Sequence, residues 1–444
     1  GGPDSTQSRE VTSANLAFEK RYNQTWSTRA GAFYYVRQAF NFNTGTSDQF
    51  DPVTRRFGRG NTLWDPLNED GGAVQIDTLA DYTLLNGKLR NKTLFTLDYS
   101  QNWRYRQQRQ VNSRVYTING VFLDNPDYVL PPRGAFGIVT RDDKTRWDVK
   151  GFFLRQQTTG LEGRLIAFAG LRRDIVTYNF TFGNQYNAAG GALRTSGLVS
   201  RYTDSAWSPN VGVNFKLTPN IAFYTSRSRS FTPAGQSARL GEPHLENETS
   251  EGWDYGFKGS FFNDRLLFTV GGYYIDRFGV KTTVRDPVTG INEVVAAGTQ
   301  LSKGFEFEGS WLATDALTLQ ATFSTVNARI VYNGNATTDV GRKPAGIPAD
   351  QASLTWKYSF RGTALEGFSW NAGVAYTSGA YPNSTATDAR RNVQTSGYSL
   401  INSGVSYSWR QGSNRTRHSI RLSVKNLLDH DYLTPRAELG SERA

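Results

Sequence analysis

Few residue combinations in this sequence could catalyse a reaction. The 444 residues include three histidines and no cysteine, and the histidines are His244, His418 and His430. A Ser-His-Asp arrangement could be drawn around His244, but serine and aspartate are common in loops, so the pattern is not specific. No two histidines have the spacing of a metal-ligand pair, and the lack of cysteine excludes a thiolate metal site. We therefore expect no enzyme activity, no catalytic residue and no protein-bound metal.

Glu306 and Glu308 are two residues apart on a segment that alternates like a β-strand, so both side chains point to one face. They could act as a paired acid and base, or they could form part of a polar wall. The polar wall explains them more simply. No glycine-rich phosphate loop precedes a helix, so a nucleotide site is not indicated either.

The remaining chemistry is ligand capture by aromatic rings and guanidinium groups. Such side chains hold a bulky ligand by stacking, cation–π contacts and hydrogen bonds. The alternative for each residue is packing against its own loop. The candidate ligand-binding residues are Trp64, Tyr116, Phe122, Tyr128, Arg133, Phe136, Tyr178, Phe180, Tyr186, Tyr381 and Arg390, with Phe182, Arg194 and Arg391 beside them.

The composition favours a strand protein with aromatic bands. Hydrophobic residues make up 38% of the chain and aromatic residues 13%, a combination typical of membrane-spanning strands. No segment approaches the roughly 20 apolar residues of a membrane-spanning helix. The net charge of +11 suits an anionic partner such as lipopolysaccharide, a charged chelate or a nucleic acid. It also suits simple decoration of loops and a polar lumen. Nucleic-acid binding is disfavoured because Arg and Lys are spread along the chain rather than clustered.

Alternation of apolar and polar residues with period two is the strongest structural signal. It is clear at 253–261, 305–311 and 317–323, and about sixteen such segments can be counted. Their connections alternate between short and long, as in an outer-membrane barrel with short periplasmic turns. The predicted turns are 23–24, 86–87, 159–160, 218–220, 263–264, 314–315, 361–366 and 411–417; the predicted loops are 41–72, 109–145, 178–205, 231–250, 281–298, 332–348 and 379–396. Tryptophans near strand ends fit interfacial girdles, although a soluble β-protein could also carry them.

Three stretches resemble the barrel of TonB-dependent siderophore receptors. Residues 245–250, LENETS, followed by 253–258, WDYGFK, are similar to the family's "L.PE.S…E.G.K" stretch, with Asn247 where the family has proline. Residues 304–309, GFEFEG, resemble its "G.E.E" strand, and residues 426–432, NLLDHDY, resemble "NLFD..Y" near the C-terminus. They occur in family order across roughly the last 200 residues.

The resemblance implies an all-β fold, a transmembrane antiparallel β-barrel of about 22 strands with a plugged lumen. About sixteen of those strands are expected in this chain. We expect residues 1–444 to form an incomplete barrel domain, with the plug domain and the terminal strands outside the sequence. The expected location is the outer membrane of a Gram-negative bacterium, crossed by many strands.

The same resemblance implies a receptor and active transporter for a ferric siderophore, driven by the TonB–ExbB–ExbD complex acting on a plug and its TonB box. The iron would stay within the chelate, so no cofactor is expected. Outer-membrane lipid and lipopolysaccharide are expected contacts, nucleic acid is not, and the protein is expected to be a monomer. Other cargoes (cobalamin, haem, a nickel chelate or an oligosaccharide), a passive porin-like channel, and an enzyme or adhesin on a barrel are the alternatives.

Overall fold

Long antiparallel β-strands make up almost all of the described structure. The computed structural model describes residues 6–51, 53, 55–111, 121–122, 132–186, 191, 193–195, 198–233, 245–285, 292–333, 340–381, 394–411, 416–434 and 441–442. Within these ranges the helical segments are two single turns of 3₁₀ helix, Arg133–Ala135 and Leu161–Gly163. No helix in the described part of the chain is both long and apolar enough to cross a membrane.

The strands follow one another along the chain with few interruptions. They are β1 Thr6–Arg21, β2 Trp26–Asp51, β3 Arg56–Leu84, β4 Leu89–Gln110, β5 Val121–Phe122, β6 Ile138–Gly160, β7 Leu165–Phe182, β8 Gln185–Tyr186, β9 Leu193–Thr195, β10 Leu198–Lys216, β11 Ile221–Thr232, β12 Glu248–Phe261, β13 Leu266–Arg285, β14 Asn292–Leu312, β15 Leu317–Tyr332, β16 Asp350–Ser359, β17 Phe368–Thr377, β18 Tyr398–Gln411, β19 Thr416–Val424, β20 Leu433–Thr434 and β21 Ser441–Glu442.

Each long strand pairs with the next long strand, so the sheet runs up and down in chain order. β4 pairs with β6 and β7 with β10, because the intervening β5, β8 and β9 are short. The large sheet contains 17 strands, of which β5 has only two residues. The expected number of about sixteen membrane-length strands is confirmed.

The short turns of the described residues lie where the sequence predicts them, with one small displacement; most of the turn predicted at 411–417 lies outside the described residues. Asn23 and Asn86 are in tight turns, but β6 continues through Gly160 and the turn occupies residues 161–164. In that turn Leu161 and Glu162 have φ values of 50° and 57°. Residues other than glycine rarely adopt this left-handed conformation, so Leu161 and Glu162 give no turn signal in the sequence. The predicted turn at 159–160 is therefore two residues too early.

Several of the long connections are shorter than predicted, because the strands extend into them, whereas the connections predicted at 332–348 and 379–396 keep about their predicted length. The loop predicted at 41–72 is largely the β2–β3 hairpin, in which β2 reaches Asp51 and β3 starts at Arg56. Similarly, β7 reaches Phe182 inside the loop predicted at 178–205. Beyond a membrane both faces of a hairpin can meet water, so apolar residues no longer mark one face as lipid-exposed while the ladder of hydrogen bonds continues.

The sheet has two chemically distinct faces. Side chains alternate along a strand, and residues opposite each other on antiparallel strands share a face. One face carries exposed large apolar side chains, including Leu97, Phe257 and Leu354; we call it the apolar face. The other, the polar face, carries Glu306 and Glu308 opposite Ser324 and Thr322, so the two glutamates lie together in a polar wall as predicted.

Candidate ligand-binding wall

A ladder of four aromatic rings lies on the polar face near the end of β7. Tyr178, Phe180 and Phe182 alternate along β7, and Tyr202 of β10 lies opposite Tyr178. The ring centroids of Tyr178 and Phe180 are 5.7 Å apart with an interplanar angle of 3°, and those of Tyr178 and Tyr202 are 5.2 Å apart. Phe180 is only 4% exposed, whereas both tyrosines keep some exposed surface. This aromatic ladder therefore offers a flat surface on which a planar ligand group can stack.

A network of paired charges borders the aromatic ladder. The guanidinium of Arg106 donates to both carboxylate oxygens of Asp65, with Nε–Oδ1 at 2.7 Å. Asp143 accepts hydrogen bonds from Arg141 and from Nε2 of Gln185, the latter at 3.3 Å. Asp65, Asp143 and Gln185 are buried, and both carboxylates have the partners that a buried charge requires. The network holds β8 against β6, next to Phe182, which is the register partner of Asp143.

Further along the same face, one arginine spans three strands. Nη1 of Arg172 on β7 donates to Asp98 on β4 at 2.8 Å, and Nη2 donates to Asp174 at 2.7 Å. Strand β6 lies between β4 and β7, and the bridge passes over Gly151. A Cβ atom at Gly151 would collide with the Arg172 guanidinium and the Asp98 carboxylate. Because Gly151 has no side chain, the Arg172–Asp98 ion pair can lie flat against the sheet.

Three predicted ligand-binding residues meet on the opposite face. Trp64 lies opposite Phe42, and both are on the apolar face. Arg133 lies over the Trp64 ring at 5.5 Å, and the Phe42 and Phe136 centroids are 5.3 Å apart. Phe136 is 4% exposed. In this arrangement Trp64, Arg133 and Phe136 pack segment 132–137 against the β2–β3 hairpin, and their contact with a ligand stays a prediction.

A match to a family model identifies the family of this chain. The model for the β-barrel of TonB dependent receptor-like proteins matches residues 1–427. The chain belongs to the TonB-dependent receptor β-barrel family. It is therefore a transmembrane β-barrel of the outer membrane, whose apolar face meets lipid and whose polar face lines the lumen. This confirms the fold and the location that the sequence indicates.

The alignments with individual curated relatives cover only part of this chain and part of each relative. The metal-pseudopaline receptor CntO of Pseudomonas aeruginosa is 24% identical over 366 residues, which are 80% of this chain and 48% of that receptor. The ferrichrome outer membrane transporter/phage receptor of Escherichia coli is 24% identical over 259 residues, 57% of this chain and 32% of that protein. The crystal structure of the ferric-catecholate import receptor Fiu from Escherichia coli gives a TM-score of 0.82 at 15% identity, over 100% of this chain and 63% of that chain. At this identity the structural likeness shows the fold alone. The chain spans about half the length, or less, of these two curated relatives.

The barrel's orientation places the aromatic ladder. In bacterial barrels of this kind the short turns are periplasmic and the longer connections are extracellular. The β6–β7 turn at residues 161–164 is short, whereas β7 ends at Phe182 beside a long connection. The aromatic ladder therefore lies inside the lumen of this receptor barrel, near its extracellular mouth.

The other predicted site residues of the receptor barrel are dispersed. Tyr186 is in β8 and partly buried, and the carbonyl of Tyr381 accepts the Gly346 N–H at 2.8 Å. Phe122 is in β5 opposite Arg56. Arg194 is in β9. Tyr116, Tyr128, Arg390 and Arg391 lie outside the described residues.

The described histidines have structural contacts. The His418 ring stacks on Trp409 with centroids 5.3 Å apart, and the His430 backbone exchanges hydrogen bonds with the Asn426 side chain. His244 lies outside the described residues. In the ranges that the structure describes, no group of three or more His, Cys, Asp or Glu residues could hold a metal ion.

Sequence reasoning missed Tyr202 and the charge network. Tyr202 fell inside the segment predicted as loop 178–205, although Tyr178, Phe180 and Phe182 continue the alternation of β7 and could have extended the strand. The Asp65–Arg106 pair has no local signal, because it joins residues 41 apart in sequence on neighbouring strands. Only the strand register brings them together.

Proposed function

We propose that this chain is the ligand-binding barrel of an outer-membrane receptor and active transporter for a ferric siderophore. The siderophore binds from outside and is imported with energy from the TonB–ExbB–ExbD complex, which acts on a plug domain inside the barrel. The observation that carries the proposal is the aromatic ladder on the luminal face at the extracellular mouth. The barrel provides affinity and a path, and it catalyses no reaction.

The chemistry of the ladder suits a chelate better than a free ion. A ferric siderophore surrounds iron with its own oxygen or nitrogen donors, so the protein need only recognise the outer surface of the complex. Tyr178 and Tyr202 offer ring faces and edges for stacking. Arg104 is also on the luminal face, opposite Thr145, and is closer to the extracellular mouth than Tyr178 is. Its guanidinium can bind an anionic or carbonyl oxygen of the chelate.

Related cargoes form the second candidate. The names of two relatives refer to a metal-pseudopaline complex and to ferrichrome. Cobalamin, haem or an oligosaccharide would use the same lumen with different contacts. A passive porin would make no saturable use of the ladder.

Ligand titration of the full-length receptor tests the proposal. Intrinsic tryptophan fluorescence would be followed with a ferric hydroxamate, a ferric catecholate and cobalamin in parallel; Trp147 lies opposite Tyr178 and can report on the ladder. We expect tight, saturable quenching by one ferric chelate. The Y178A/Y202A double variant should bind it about tenfold more weakly or worse, because two stacking partners are lost.

The matched control removes a tyrosine from the other face. Tyr376 on β17 is on the apolar face and 42% exposed, so Y376A should leave the affinity unchanged. Quenching by cobalamin alone would replace the cargo while keeping the transporter. No saturable response to any of the three ligands would contradict the siderophore proposal.

A further inference from the structure

The luminal wall that carries the aromatic ladder has balanced charges. From the Asp98–Arg172 ion pair to the extracellular ends of the long strands between β1 and β10, the described luminal side chains include six arginines and six carboxylates. They are Arg9, Arg37, Arg104, Arg106, Arg141 and Arg172, and Asp65, Glu69, Asp98, Asp143, Asp174 and Asp204. The chain as a whole has a net charge of +11, so the described part of this wall does not carry the excess.

Four of the six arginines are already ion-paired within the wall. The pairs are Arg37–Glu69, Arg106–Asp65, Arg141–Asp143 and Arg172 with both Asp98 and Asp174. Asp65, Asp143 and Asp174 are 7%, 4% and 8% exposed. An arginine that left one of them to bind an anionic ligand would leave a buried carboxylate without a counter-charge, which is strongly unfavourable. These guanidiniums are therefore not available to neutralise a ligand.

Arg104 is the arginine of this wall that can bind a ligand beside the ladder. Its register partners are Glu69 and Thr145, and among the described residues it makes no ion pair. Glu69 already binds Arg37 at 2.9 Å and accepts a hydrogen bond from a tyrosine hydroxyl. On the other side of the ladder, Asp204 supplies a carboxylate two residues from Tyr202. Arg104 alone therefore does not make the surroundings of the ladder positive.

Arg9 lies too far from the ladder to change this balance. It is on β1, and five steps between paired strands separate β1 from β7. At about 4.8 Å per step this is roughly 24 Å, and charges separated by more than about 8 Å are largely screened at physiological salt.

The facing wall of the lumen adds no positive charge. In the outer half of β12, and on β13 as far as Arg277, the charged luminal residues are Glu248, Asp254 and Arg277. Nε of Arg277 donates to Glu248 at 3.0 Å, so Asp254 remains as a further negative charge. The outermost described luminal residues of β16 and β17 are Gln351 and Thr377, which are uncharged. Within these ranges neither wall has a surplus of cations.

We propose, on the basis of the function proposed above, that the ferric chelate bound at the ladder carries no net negative charge. Three singly charged bidentate donors, such as hydroxamates, neutralise Fe³⁺, whereas three doubly charged donors, such as catecholates, give a complex with three negative charges. Binding requires matching potentials, and a neutral chelate needs no counter-charge from this wall. Carbonyl oxygens on its surface can accept hydrogen bonds from Arg104, and its planar groups can stack on Tyr178 and Tyr202.

A series of chelates that differ only in charge tests this proposal on the full-length receptor. A neutral ferric trihydroxamate would be compared with derivatives that bear one, two or three added carboxylates, by tryptophan-fluorescence titration at low and high salt. We expect the affinity to fall about threefold with each added carboxylate, because the wall offers it no free counter-charge. The association rate of the neutral chelate should change less than about twofold with salt, because no net charge steers it.

Removing one carboxylate beside the ladder should shift this preference. D204N should tighten binding of the derivative with three carboxylates about fivefold and leave the affinity for the neutral chelate within about twofold. D148N is the matched control, since Asp148 is on β6 but on the apolar face, where it accepts a hydrogen bond from Tyr99 at 2.9 Å. It changes the net charge of the protein equally and should alter neither affinity. Melting temperatures of both variants would check that the barrel is intact.

Three results would overturn the proposal while leaving the receptor function in place. They are equal or rising affinity along the carboxylate series, association of the neutral chelate that depends steeply on salt, and an effect of D148N as large as that of D204N. The last would mean that the overall charge of the protein, and not the charge of the wall, sets the preference. Failure of every chelate to bind would instead contradict the proposed function, and the ligand class with it.

Discussion

The two sides of the lumen are built differently. On the polar face of β3–β7, which we call the bridged wall, long side chains reach across a strand, as Arg172 does over Gly151. On the polar face of β15–β18, the short-chain wall, Thr322 bonds to Ser353 at 2.7 Å and Ser369 to Ser406 at 2.8 Å, each between adjacent strands. The bridged wall therefore includes side-chain contacts between non-adjacent strands, while the short-chain wall depends on the backbone ladder.

Under the function proposed above, this difference suits ligand binding on one side of the lumen and ligand passage on the other. A rigid wall with aromatic rings keeps its ligand-contacting groups in place before the ligand arrives, which reduces the entropic cost of binding. Short hydroxyl and amide side chains make many weak hydrogen bonds that a moving cargo can exchange one at a time. We expect the bridged wall to determine affinity and the short-chain wall to have little influence on it.

The largest effect should follow truncation of the most buried ladder ring. Phe180→Ala removes a ring that is 4% exposed and stacked between Tyr178 and Phe182. We expect a loss of about 3 kcal/mol in the free energy of unfolding, from lost burial and an unfilled cavity. Urea unfolding in lipid vesicles measures it. Phe33→Ala, on the same face but at a ring that is 44% exposed, is the control and should cost far less; equal losses would mean that the ladder is not a packed unit.

A smaller loss of stability should follow the addition of one methyl group at Gly151, next to the Asp98–Arg172 ion pair. Gly151→Ala places a Cβ against the Arg172 guanidinium and the Asp98 carboxylate, so one of these partly exposed charge-assisted bonds must lengthen or break. We expect about 2 kcal/mol of destabilisation in the same assay. At Gly31, also in a strand and on the polar face, the nearest atom to an added Cβ is a carbonyl oxygen at 3.9 Å. Gly31→Ala should therefore leave the free energy of unfolding unchanged. If it destabilised the protein as much as Gly151→Ala, the Asp98–Arg172 ion pair would not explain the effect at Gly151.

The smallest effect is expected on the short-chain wall. Ser353→Ala removes the exposed hydrogen bond to Thr322 and leaves the strand ladder intact. We expect a change below about 0.5 kcal/mol and an unchanged affinity for the ferric chelate. A loss above about 1.5 kcal/mol would show that the short-chain wall also depends on its side-chain contacts, and the distinction between the two walls would fail.

The part of the fold that lies in the membrane could be predicted from the sequence, because lipid on one face and water on the other impose alternation. Strands such as β12 and β14 follow that pattern closely. Extensions beyond the membrane are harder to predict, since water on both faces weakens the signal. At the end of β7 the alternation persists, but it is inverted, because Tyr178, Phe180 and Phe182 are on the luminal face.

The candidate site could be predicted only in its residue types. Aromatic and arginine side chains near the extracellular connections were recognised, but whether each one faces the lumen depends on register. Trp64 and Phe136 meet on the apolar face and the ladder residues on the polar face, and a shift of one residue would exchange these faces. Pairings over 41 or 74 residues have no trace in local sequence.

The bridge between Asp98 and Arg172 also has a consequence for how the barrel is inserted. The two residues are 74 positions apart and on strands separated by β6, so their ion pair forms only when three strands have the native alignment. A slip of one residue in β7 would turn the guanidinium towards hydrocarbon and leave Asp98 without its partner, and a charge facing lipid is strongly unfavourable. Arg172 therefore favours the native alignment of β4, β6 and β7. Misaligned intermediates should insert into the membrane less readily, because they would expose this charge to lipid.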